Sequence, residues 1–101
     1  MIRWKLTSLF DPDLELIASL PVTGKNQAAP LKMEGPKEEV EATARRIRFE
    51  PGAFGHKLDI NQITAIDVDY LFSQMPLAVE IIEGAEVIAG GYDPEVGDAL
   101  T

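Results

Sequence analysis

Apolar and polar side chains alternate at the start of the chain, where Ile2, Trp4 and Leu6 are separated by Arg3, Lys5 and Thr7. A period of two puts the apolar groups on one face of an extended segment and predicts a strand over residues 2–8. Asp11-Pro12 then offers an N-cap followed by proline at the first helical position, and Asp13 and Glu15 suit the positive end of a helix. With Leu14, Ile17 and Ala18 as its apolar stripe, a short helix is predicted over 12–20. Leu14, Leu16, Ala18 and Leu20 also alternate, so the same segment satisfies a strand, and the choice bears on the fold class.

Pro21 closes that element, and Gly24, Asn26, Pro30, Gly35 and Pro36 mark residues 21–37 as a loop. At about 17 residues this loop exceeds the usual connection in a compact domain, so it is either a binding segment or conceals a strand near Ala28–Met33. Pro36 is placed to start a helix over 36–48, with Glu38, Glu39 and Glu41 early, Arg45, Arg46 and Arg48 late, and Val40, Ala44 and Ile47 facing the core.

Glu50-Pro51-Gly52-Ala53-Phe54-Gly55 is a breaker-rich turn. The aliphatic residues of 56–66 are read as short strands, with a strand leading into a helix as the alternative. A helix follows over 68–75, capped by Asp67 or Asp69 and ended by Pro76. Residues 77–82 and 85–89 read as paired strands across Glu83-Gly84, and Gly90-Gly91 ends the second. The elements together predict an α+β fold: a small single domain with a short mixed or antiparallel β-sheet packed by two or three helices. Residues 1–92 form the domain, with 21–37 as a flexible loop, and 93–101 are an acidic C-terminal tail.

Length supports one core, because a chain of 101 residues is the size of an ordinary domain. The 46% hydrophobic and 26% charged fractions are ordinary for a folded chain and argue against disorder throughout. The chain has no apolar run of the roughly 20 residues that cross a bilayer, and its N-terminus lacks signal-peptide features, so no membrane partner is expected. Without cysteine, disulfides and thiolate chemistry are excluded, and a cytoplasmic location follows naturally.

Charge is more informative than composition. Residues 1–57 carry all nine bases and eight acids, whereas residues 58–101 carry nine acids and no Lys or Arg. The segments are therefore plus 1 and minus 9, which sum to the net charge of minus 8. An anionic nucleic-acid backbone would be repelled by the second segment, and a basic protein surface would be attracted.

The chemistry that can be proposed is sparse. His56 is the only histidine, which argues against a multi-histidine metal centre or a histidine-based triad. Ser8, Ser19 and Ser73 lack a nucleophile elbow, and no phosphate-binding loop or dinucleotide fingerprint occurs. No catalytic residue and no cofactor is assigned. Asp67 and Asp69 would point the same way if extended and, with Asp59 or Glu80 beside them, could hold a divalent cation; in a helix they would diverge.

The expected function is therefore a non-catalytic accessory or structural subunit, cytoplasmic, that binds a protein with a basic surface or its own copies as an oligomer. Its candidate contacts are Trp4, Phe49, Phe54 and Phe72 as apolar anchors, and Arg45, Arg46, Arg48, Glu80, Glu83 and Glu86 as orienting charges. Each of the aromatics is equally suited to the core. The alternative is a small divalent-metal-dependent hydrolase built on Asp59, Asp67, Asp69 and Glu80.

Overall fold

The computed structural model describes residues 1–52 and 55–89. Its central strand β1, Ile2–Ser8, forms where the N-terminal alternation predicts it, with Ile2, Trp4 and Leu6 buried and Arg3 exposed on the opposite face. The chain then turns and returns antiparallel as β2, Glu15–Leu20, with Trp4 opposite Ala18 and Leu6 opposite Leu16. The helix expected over 12–20 is thus a turn and a strand. The residues that resembled a helix start serve the turn instead: Asp11 Oδ1 accepts the Asp13 N–H at 3.1 Å, and Ser8 Oγ accepts those of Phe10 and Asp11 at 3.2 and 3.3 Å. Short polar side chains satisfy backbone N–H groups equally well in a cap or in such a turn, so the local signal was ambiguous.

Residues 21–37 are not one passive loop. They contain β3, Ala28–Ala29, and β4, Lys32–Glu34, the second of which pairs antiparallel with β2. Helix α1, Lys37–Phe49, follows, shifted by one residue from the expected span because Pro36 occupies the cap position itself. Thr43 and Ile47 are its buried residues, while Val40 and Ala44 are only partly covered.

The strands expected over 56–66 reduce to β5, Ile63–Thr64, which pairs antiparallel with β3 as a separate two-stranded ribbon. Leu31 N–H donates to the Ile60 carbonyl at 3.0 Å and Ile66 N–H to that of Lys25 at 3.1 Å, fastening the 21–37 segment to the second half of the chain. Helix α2, Ala65–Ser73, begins earlier than the expected 68–75 because Thr64, not Asp67 or Asp69, caps it.

Strand β6, Leu77–Glu83, returns beside β1, giving a four-stranded antiparallel sheet in the order β4-β2-β1-β6. The predicted partner strand over 85–89 is instead helix α3, Ala85–Ala89. Gly84 turns the chain with φ of +77°, and Val87 enters the core; a five-residue segment with four apolar residues and Glu86 fits a helix as readily as a strand. The expected break at Gly90-Gly91 and the acidic tail over 93–101 lie outside the described residues.

The sheet buries one face only. Ile2, Trp4, Leu6, Leu16, Ala18 and Leu20 meet Ile47 of α1, Val68, Leu71 and Phe72 of α2, and Val87 of α3 in one core. The outer face carries Arg3 and Lys5 on β1, Glu15 and Ser19 on β2, and Glu80 and Glu83 on β6, the mostly polar-out alternation of an antiparallel sheet with one wet side, interrupted by Ile17 and Ala78. The result is the expected α+β domain, with a four-stranded sheet and a two-stranded ribbon packed by the three helices. Among the described residues no helix is long and apolar enough to cross a membrane.

Candidate interaction surface

The acidic residues of β6 sit where the sheet ends. Successive residues of a strand alternate between faces, so Glu80 joins Lys5 on the outer face while Val79 and Ile81 pair with Leu6 and Trp4 on the inner one. The register slips between Arg3 and Trp4, which face Glu83 and Ile81 respectively, so Ile82 is the extra residue of a bulge. β6 is covered only in part: Leu77 and Ile81 pack against the core, whereas Val79 is 37% exposed and Ile82 45%. Arg3 Nε lies 3.6 Å from Glu83 Oε1, and Lys5 Nζ lies 3.4 Å from Glu15 Oε2, so β1 contributes a row of cations between acidic neighbours. Glu86 is exposed in the first turn of α3.

The basic candidates gather elsewhere, at the C-terminal end of α1. Arg45, Arg46, Arg48 and Phe49 are all exposed there, Phe49 by 77%. Basic side chains in this last turn complement the negative end of the helix dipole, which explains their place without requiring a partner. An open cleft of about 470 Å³ separates Ala44 and Arg48 from the 57–61 segment and is lined by both Lys57 and Asp59. A smaller groove of about 190 Å³ runs between α1 and the β1–β2 turn, where Phe10 and Arg46 line it, and it reaches Leu77 at the start of β6.

Two expected anchors are withdrawn. Trp4 and Phe72 are fully buried, with their rings edge-to-face at 5.6 Å between centroids, so they hold the core together and present nothing to a partner. Phe54 lies outside the described residues. Leu9 and Phe10, both strongly exposed in the β1–β2 turn, were missed because reading 12–20 as a helix hid the hairpin whose tip they form.

The carboxylates of the metal alternative are dispersed. Because residues 65–73 are helical, Asp67 and Asp69 diverge. Asp67, 3% exposed, accepts the Thr64 hydroxyl at 3.1 Å and has His56 Nε2 at 3.6 Å. Asp69 accepts the Trp4 indole N–H at 3.2 Å, Asp59 accepts the Asn61 backbone N–H at 2.9 Å, and Glu80 stands on the outer sheet face. Among the described residues no three potential ligands assemble. The hydroxyls of Ser8 and Ser73 have structural partners as well: Ser8 accepts the turn N–H groups, and Ser73 donates to the Tyr70 carbonyl at 2.6 Å.

In comparison with known proteins, no family model matches the chain, and neither a curated protein nor a solved structure does.

Proposed function

We propose that this chain is a non-catalytic accessory or structural subunit that binds a protein partner with a basic surface. The observation that carries the reading is β6, where exposed Val79 and Ile82 alternate with Glu80 and Glu83 at the rim of the sheet. Apolar area of this kind supplies affinity, while the flanking carboxylates orient the approach of a cationic surface and disfavour an anionic one. Exposed Arg45, Arg46 and Arg48 on α1 offer the complementary charge for association between copies of the chain, the homotypic form of the same reading. A cytoplasmic setting completes it, since a chain without cysteine makes no demand on an oxidising compartment.

Carbodiimide crosslinking of the full chain in native extract, which joins carboxylates to lysines, tests the reading. Crosslinks from Glu80 or Glu83 to lysines of one recurrent protein, or to another copy, are expected, with a yield that falls at high salt. The reading fails if no recurrent partner is joined and light scattering shows a monomer at every concentration.

A further inference from the structure

Natural sheets blunt their edges, because an unpaired strand offers a row of N–H and C=O groups to any passing chain. β4 is blunted: it has three residues, with Pro30 before it and Gly35-Pro36 after it. β6 has seven residues with no proline and no lysine among them. Its own sequel is helix α3, and among the described residues no hairpin partner covers its far side and β1 is its only strand neighbour. Residues 78–83 make no backbone hydrogen bond to a described residue outside that pairing. Alternate residues along β6 therefore direct their backbone donors and acceptors away from the sheet. The bulge at Ile82 limits the regular part of this edge to Leu77–Ile81, and within it the Leu77 N–H is already donated to the Met75 carbonyl at 2.8 Å, so Leu77 offers only its carbonyl.

We propose that the Leu77–Ile81 edge takes an extended segment of the partner as a fifth strand, with lysine or arginine opposite Glu80 on the outer face and apolar side chains against Val79 on the inner one. This rests on the protein-binding reading above and adds how the partner is held. Main-chain hydrogen bonds supply affinity in strand addition, and alternate side chains supply selectivity. Charge decides between the occupants. Lys5 and Glu80 are paired in register across the outer face, so a cation on the far side of Glu80 continues the alternation, whereas a like charge directly opposite is unfavourable. Neither β6 of a second copy, with Glu80 and Glu83, nor residues 90–101, with Asp93, Glu95 and Asp98, contains a base. A foreign segment alternating basic and apolar residues meets both requirements.

The test uses the full chain and synthetic peptides: one alternating lysine with valine, one alternating glutamate with valine, and the lysine peptide methylated on alternate backbone nitrogens. At saturating lysine peptide, alternate amides within 78–81 are expected to exchange about tenfold more slowly, the signature of new main-chain bonds at an edge. The glutamate peptide leaves them unchanged, methylation on the docking edge abolishes the effect, and Glu80→Gln weakens it several-fold without altering the fold. The proposal is overturned if the lysine peptide protects a different segment, if methylation on either edge is without effect, or if the peptide does not bind. Recurrent crosslinks from Glu80 or Glu83 combined with any of these results would leave the protein-binding reading standing and remove strand addition alone.

Discussion

The indole N–H of Trp4 donates to Asp69 Oδ1 at 3.2 Å, tying the central strand of the sheet to the helix that covers it. The ring itself is fully buried against Phe72, so the bond satisfies a donor with no access to water. Asp69→Ala is expected to cost about 1–3 kcal/mol, since it orphans that donor while Trp4 stays in place. Denaturant unfolding measures this directly, and an unchanged midpoint would show that the bond contributes nothing.

The contrast between buried and exposed aromatics gives a second expectation. Phe72→Ala empties part of the core and should cost about 3–5 kcal/mol, whereas Phe49→Ala, at a position 77% exposed, should stay within about 0.5 kcal/mol. The same unfolding series compares them. A large loss at Phe49 would mean that the end of α1 is packed rather than open.

Asp67 links three segments of the chain. Thr64 Oγ1 accepts its backbone N–H at 3.3 Å, capping α2, and a Cβ added at Gly52 would lie 2.7 Å from its Oδ1 and equally close to Leu58 Cδ2. Thr64→Ala should cost about 0.5–2 kcal/mol through the lost cap. Gly52→Ala should cost about 1–3 kcal/mol through overpacking around the buried carboxylate. Because both act on Asp67, the double variant should depart from additivity by more than about 0.5 kcal/mol, and additive losses would show that the sites are independent.

Gly84 sets the direction of the chain after β6. Its φ of +77° disfavours other residues, and a Cβ there would overlap the Met1 carbonyl oxygen and lie 2.9 Å from Ile2 Cα. Gly84→Ala should therefore lower stability by more than the about 1–2 kcal/mol of a left-handed residue alone, because backbone atoms must also move. A thermal midpoint equal to that of the parent chain would contradict this packing.

Strand β1 and helix α1 were legible in the sequence for physical reasons that tertiary structure did not overrule. Ile2, Trp4 and Leu6 alternate without interruption, and the acidic start and basic end of α1 match its dipole. The segment around Asp11-Pro12-Asp13 was not legible, because carboxylate chemistry that caps a helix also closes a turn. Strands β3, β4 and β5 are two or three residues long, too short to show a period, and each is defined by a neighbour distant in sequence. At the candidate surface, the sequence identified Glu80 and Glu83 as acidic and β6 as a strand. It also assigned 85–89 as the neighbouring strand, so the open edge emerged only once α3 was seen to be helical.

Amide hydrogen exchange over residues 77–83 of the isolated chain tests the open edge most directly. Amides that face β1 should be protected, and those alternating with them within residues 78–81 should exchange at rates near those of exposed loops. Uniform protection along the strand would contradict the account, because it would mean that another segment already occupies the far side of β6.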